Sequence, residues 1–339
     1  MNKMLTVWIG IWSILLLALA LLLPGLLVKK TVQAIQTPAT AVHAGISLKG
    51  KDSTVVVPVY LSERKQVERV PLEYYVRGVV AGEMPIEFPM EALKAQAIAA
   101  RTYLTRKMID QDFKDVPQGA WVTDTISDQV FDSVSQMQQE WGDNFSKNIN
   151  KLDQAIQETA GQIITYQNKP IQAAFFSTSN GYTENSEDYW QQYIPYLRSV
   201  PSPWDTKISP KYKMDVVFND REFLQKLGLN QAVPVSSGNF VMKVLDTTQG
   251  HRIKQIRIGG KIFTGREVRE KLGLHSTEFS WKKIGSQIQL TTYGYGHGVG
   301  MSQWGAAGMA EEGKTAEQII HYYYRDVKIQ QMSSILNLP

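Results

Sequence analysis

Hydrophobic positions change spacing along the chain, and each change marks an element. Residues 4–23 (MLTVWIGIWSILLLALALLL) run for 20 positions without a charge, about 30 Å at helical rise, which is the thickness of a bilayer's hydrocarbon core. A cleaved export signal has a shorter apolar stretch, about 7–15 residues, and the nearest small-residue cleavage pattern, Ala41 to Ala44, lies far downstream. The pattern predicts a membrane anchor over residues 1–30, and the short tail before it favours export of everything that follows. Residues 31–50 are small and polar without periodicity and read as a linker. From residue 51 to 335 the pattern is that of a folded domain.

That domain opens with a strand over 54–61, in which Pro58 suggests an edge position. Pro71 then starts a short helix over 71–81: Leu72, Tyr75, Val76, Val79 and Val80 recur at helical spacing, and Gly82 stands where a C-terminal cap belongs. A longer helix over 91–110 carries a stripe of Leu93, Ala97, Ala100, Leu104 and Met108, small enough for a neighbour to approach closely. A helix over 148–159, a hairpin from 162–166 to 171–176, and a strand over 214–218 follow. Asn219 caps the next helix, a ribbon crosses 247–250, and a turn falls at Gly259-Gly260. A helix over 266–272 is closed by Gly273. Hairpins and short helices alternate without long parallel crossovers, which predicts an α+β fold. The length exceeds what one core usually serves, so two lobes with a substrate groove are expected.

The 339 residues contain no Cys, which excludes a disulfide scaffold, a thiolate metal site and a Cys nucleophile. Lys plus Arg number 36 against 32 Asp plus Glu, a net charge of +4. Lys3, Lys29 and Lys30 flank the apolar run with no acidic residue beside them, so the folded part is nearly neutral and nucleic acid is not an expected partner. The five His are never paired at i,i+3 or i,i+4, so no metal site of ordinary spacing is expected, and no cofactor. No Gly-x-Ser-x-Gly elbow occurs either.

Three stretches depart from plain core-and-surface logic. The first contains Glu83, just past the expected helix end, where unpaired carbonyls disfavour a carboxylate and push its pKa up, as a general acid requires. The same position also suits a surface glutamate after a cap glycine. The second, residues 175–205, interleaves hydroxyls, amides and aromatics; Tyr182, Tyr189, Trp190, Tyr193, Tyr196 and Trp204 offer flat faces with polar tips that suit pyranose rings. It reads equally as a hydrogen-bonded structural loop. The third, residues 293–308, alternates glycines around His297, with Ser302 as an N-cap; close backbone approach to a ligand and simple turn chemistry both fit.

The strings VRGVVAGEMP with EALKAQAIAARTY, FFSTSNGYTENSEDYW with PYLRSVPSPWD, and YGHGVGMSQWGAAGMA together resemble the stage II sporulation protein D family of peptidoglycan lytic transglycosylases. The resemblance runs from about residue 50 to 330. It implies cleavage of the β-1,4 bond between N-acetylmuramic acid and N-acetylglucosamine with formation of a 1,6-anhydro end, and it puts Glu83 in the place of the catalytic acid/base. One carboxylate then suffices, because the substrate's own C6 hydroxyl takes the role of the second carboxylate or water of ordinary glycosidases. Carried over by motif position, Arg101, Ser177, Ser179, Tyr182, Tyr196, Arg198, Asp205, His297 and Gln303 would line or support the groove, although Arg101 also suits a helix anchor and Asp205 a turn cap. The resemblance further implies glycan strands stripped of stem peptides as substrate, an amidase and membrane proteins as partners, and a place in the engulfing mother-cell membrane during sporulation. A non-catalytic glycan-binding scaffold is the alternative, and a membrane-anchored amidase a third possibility that the absent metal spacing disfavours.

Overall fold

A computed structural model describes residues 55–229 and 242–336. The expected anchor and linker lie outside them, and among the described residues no helix is long and apolar enough to cross a membrane. The fold is mixed α+β.

Strand β1 (Val56–Leu61) turns back into β2 (Gln66–Pro71). Val57, Val59 and Leu61 point inward while Val56 is exposed, the period-two pattern of a half-buried strand. Helices α1 (Leu72–Glu83) and α2 (Met90–Asp110) follow, then β3 (Val122–Thr123), α3 (Val134–Trp141) and α4 (Phe145–Glu158). Contrary to the expectation from Pro58, β1 is the central strand of the order β2-β1-β3. The Pro58 carbonyl accepts from Trp121 N at 2.9 Å, so its missing N–H also faces the β3 side, where the partner strand is only two residues long and asks for no donor.

Gly82 does not cap α1 but lies inside it, and the helix ends because Met84, which precedes Pro85, is extended at φ −127, ψ 140. Long α2 is the hub: Leu93, Ala97, Ala100 and Leu104 are fully buried, and α1 and α4 pack on it. Strand β4 (Gln162–Tyr166) and β5 (Lys169–Pro170) form the expected hairpin through Gln167 and Asn168, both at positive φ. The second arm is shorter than 171–176, however: only β6 (Phe175–Phe176) is extended in a sheet, and it leaves the hairpin for another partner.

The chain continues through α5 (Ser186–Trp190), α6 (Asp205–Ile208), β7 (Lys213–Asn219) and α7 (Asp220–Leu227), whose N-cap Asn219 accepts from Glu222 N. Strands β8 (Met242–Thr247), β9 (Ile253–Ile258) and β10 (Lys261–Thr264) form one antiparallel sheet, and α8 (Gly265–Leu272) ends at left-handed Gly273. Strands β11 (Phe279–Ile284) and β12 (Gln287–Tyr293) pair with β7. These elements enclose a hydrophobic cluster of their own, with Phe223, Leu227, Ile256, Phe263, Val268 and Leu290 at its centre. Strand β13 (Met301–Ser302), α9 (Gln303–Glu311), α10 (Ala316–Tyr323), β14 (Lys328–Gln331) and α11 (Met332–Leu336) return to the larger cluster built on α2.

Candidate active site

Glu83 is the last residue of α1 and lines an open cleft of about 440 Å³. Met84 to Glu87 form one part of its wall, Asp132 another, and Glu140, Trp141, Asn144 and Asn148 a third, with Lys211 arriving from the segment after α6. A strap at residues 130–132 crosses α1 on two glycines. A Cβ on Gly78 would lie 2.3 Å from the Phe131 ring and 2.8 Å from the Asp132 carbonyl, and one on Gly82 would lie 2.9 Å from Val130 Cγ1. The missing side chains let the strap sit against the helix, where Asp132 N donates to Gly78 O at 3.0 Å and Val130 N donates to Glu83 Oε1 at 2.8 Å. Both glycines therefore serve close approach, not helix termination.

Burial raises the Glu83 pKa above the ordinary carboxylate value, the negative neighbour Asp132 adds to the rise, and the Val130 N–H and the Gln303 side chain oppose it. The direction matches the expectation from sequence, but the leading cause is desolvation, not the field of helix-end carbonyls. Asp132 is itself raised by burial and then by Glu140. Gln303 Nε2 is buried and has no hydrogen-bond partner among the described residues, so its influence on the carboxyl is that of a nearby amide.

The second and third stretches interlock. Strands β6 and β13 pair in parallel, Phe176 opposite Ser302, and Thr178 bridges Tyr295. At their junction Asp205, fully buried, accepts from Ser179 N at 2.8 Å, from Ser202 Oγ at 2.6 Å and from Ser302 Oγ. Burial raises its pKa and these donors oppose the rise. Gly305 leaves room for this knot, because a Cβ there would lie 2.0 Å from the Tyr323 hydroxyl. Ser302 also caps α9 by accepting from Gly305 N, and so fixes Gln303, the first helical residue, toward Glu83. Ser179 Oγ donates to Ser202 O, and the Ser177 carbonyl accepts from Trp304 N. These serines hold backbone.

Several other residues implied by the resemblance are not brought to the cleft. Arg101 is completely buried, with its fork on Glu73 at 3.0 and 2.6 Å and a further bond to Gln162 O at 3.0 Å. It anchors the helix. Tyr196 OH accepts from Gln172 N at 2.9 Å, and its ring packs on Tyr166. Arg198 pairs with Glu187 and lies 4.4 Å over the Tyr193 ring. Tyr182 is exposed with its ring 4.5 Å from His251.

His297 is half-buried against the second stretch: Phe176, Tyr189 and Trp190 lie 5.7, 5.6 and 5.4 Å from its ring. Burial, followed by the charges of Arg269 and Arg252, pushes its pKa down to about 3, so it is neutral. Its Nδ1 accepts from Val299 N. Gly298 lets Arg252 lie against the backbone, 2.6 Å from where a Cβ would stand.

Sequence reasoning missed Val130, Asp132, Trp141, Asn144, Asn148 and Lys211. The polar run after Trp121 gives little periodicity; the one available signal was the i,i+4 spacing of Asn144 and Asn148, which places them on one helix face. Lys211 Nζ also lies 5.2 Å over the Tyr295 ring, linking the cleft to the glycine-rich stretch. Among the described residues no three His, Asp or Glu converge as a metal site.

Residues 60–166 match the family model described as stage II sporulation protein. The chain is 47% identical over 332 residues to stage II sporulation protein D of Bacillus subtilis (strain 168), covering 95% of both chains. It is 50% identical over 287 residues to the protein of the same name from Bacillus amyloliquefaciens, covering 85% of this chain and 82% of the relative. It is also 30% identical over 303 residues to the amidase enhancer of Bacillus subtilis (strain 168), covering 74% of this chain and 39% of that protein.

Proposed function

The chain belongs to the stage II sporulation protein D family, and on that premise we propose that it is a membrane-anchored, extracytoplasmic lytic transglycosylase acting on peptide-stripped glycan strands. The observation that carries the reading is the half-buried Glu83 carboxyl, raised in pKa and open to a cleft. Protonated Glu83 donates to the glycosidic oxygen, the bond from C1 of N-acetylmuramic acid to that oxygen breaks, and positive charge develops at C1. The Glu83 carboxylate then takes the proton of the same sugar's C6 hydroxyl as that oxygen attacks C1 and closes the 1,6-anhydro ring. The proton is returned and no water is consumed.

The opposing influences on Glu83 suit a group that must act as acid and then as base. Burial and Asp132 favour the protonated form, whereas the Val130 N–H and Gln303 stabilise the carboxylate. Asp132 also sets a negative charge beside the cleft in which cationic character develops. Glu83→Gln in the full chain is expected to reduce release of anhydro ends about 10²–10⁴-fold, the usual contribution of a positioned acid, with the thermal midpoint unchanged. Mass spectrometry of the digested strands reads the loss, and products formed at an undiminished rate would refute the assignment.

The amidase enhancer name of one relative favours a second reading, a non-catalytic glycan-binding scaffold that works beside an amidase. A scaffold leaves strand masses unchanged, whereas a transglycosylase yields fragments one water lighter than hydrolysis products.

A further inference from the structure

We infer that Trp141, Asn144 and Asn148 form a saccharide subsite in the cleft of Glu83, with the indole as the face on which a hexosamine ring lies and the two amides as partners for its hydroxyl and N-acetyl groups. This rests on the glycan reading of Glu83. All three side chains line the same cleft as that carboxyl. Trp141 ends α3, is half-buried, and rests on Phe145 at 6.2 Å, so the indole is held from behind while it borders open space. Asn144 and Asn148 stand one turn apart at the start of α4, alongside the stripe of Ile149, Leu152 and Ile156 that faces the core.

Neither asparagine side chain forms a hydrogen bond with another described residue. Two unengaged amides and an aromatic face along one wall make the mixture of flat apolar surface and directed polar groups that small-ligand sites use. The wall is also fixed relative to the acid. Lys151, on the same helix, donates to Ile86 O at 2.8 Å and to Phe88 O at 2.7 Å and so ties α4 to the segment that follows Glu83. A sugar seated on Trp141 therefore meets a carboxyl at constant offset, the condition for orienting a glycosidic bond before proton transfer.

The test uses the full chain in detergent carrying Glu83→Gln, so that strands bind without being cut. Binding of purified peptide-stripped strands is measured by sedimentation, and of a β-1,4-linked N-acetylglucosamine tetrasaccharide by calorimetry. Trp141→Ala is expected to weaken binding about tenfold, Trp141→Phe to restore most of it, and Asn144→Ala with Asn148→Ala, which disturbs no internal bond, to weaken it about fivefold or more. Binding of the parent that survives Trp141→Ala and the asparagine pair undiminished overturns the subsite and leaves the Glu83 reading intact. A Glu83→Gln parent that binds neither ligand, together with a native chain that leaves no anhydro ends, overturns both.

Discussion

Gly78→Ala sets two known effects against each other. Alanine in a helix interior is favoured over glycine by about 1 kcal/mol, so α1 considered alone is stabilised. The new Cβ, however, meets Phe131 Cε2 at 2.3 Å, Cδ2 at 2.5 Å and the Asp132 carbonyl at 2.8 Å. Two of these belong to a ring in the core and one to backbone, so no flexible tip can swing away. Overpacking of this kind costs about 1–3 kcal/mol, and with three sub-contact distances the upper half of that range applies. The net expectation is a loss of about 1–2 kcal/mol, or roughly 3–6 °C in thermal midpoint for a domain of this size. A second readout follows from the strap: displacing residues 130–132 pulls the Val130 N–H from Glu83, removes an influence that lowers its pKa, and moves the alkaline limb of the activity profile to higher pH. Gly82→Ala, whose nearest contact is the end of a valine side chain at 2.9 Å, serves as the milder comparison. Circular-dichroism melts of both variants decide the matter. A midpoint for Gly78→Ala at or above that of the native chain would show that the strap is not seated on the glycines as described.

Asp132→Asn removes a negative neighbour from Glu83, so the Glu83 pKa falls and the alkaline limb of anhydro-end release moves to lower pH; a limb that stays put contradicts the coupling. Arg101→Ala leaves Glu73 buried and unpaired at a cost of about 3–5 kcal/mol, whereas Arg101→Met with Glu73→Met restores most of the stability in urea melts together with glycan binding. Binding that stays lost in the stable double variant would return Arg101 to the substrate. His297 is held neutral down to about pH 3, whereas unfolded histidine takes its proton near 6.5. Its contribution to stability is therefore complete above about pH 6.5 and declines as pH falls toward 3, by up to about 1.4 kcal/mol per unit. In acid titrations followed by fluorescence, His297→Gln should flatten that decline, and an unchanged slope would count against an enclosed neutral ring.

Local elements were legible where the signal and its cause lie close together. The Asn219 cap and the closing Gly273 of α8 each need only a few neighbouring residues, and both stand where the text places them. Gly82 was misread because a glycine near a helix end looks the same whether it caps the helix or admits another segment, and the segment it admits lies at residue 130. The surroundings of His297 were illegible for the same reason: its glycine neighbours cannot cover it, whereas Phe176, Tyr189 and Trp190, which pack around it, come from a distant stretch. Motif position marked Asp205 and Gln303 as special without showing that one ties loops together while the other faces the acid. Trp141 and the two asparagines carried no such mark, since their meaning arises only when α4 is laid beside the end of α1.

Gln303 reaches Glu83 from almost the opposite end of the chain, and the matched span of residues 60–166 contains the acid, its Val130 donor and Trp141 but not that amide. A shorter protein limited to the matched span would carry the Glu83 carboxyl without the amide that favours its anion. In a nascent chain the Glu83 carboxyl likewise waits for α9, so its surroundings are completed at two moments of synthesis: the Val130 N–H arrives with the strap, and the Gln303 amide only after the last turns have docked.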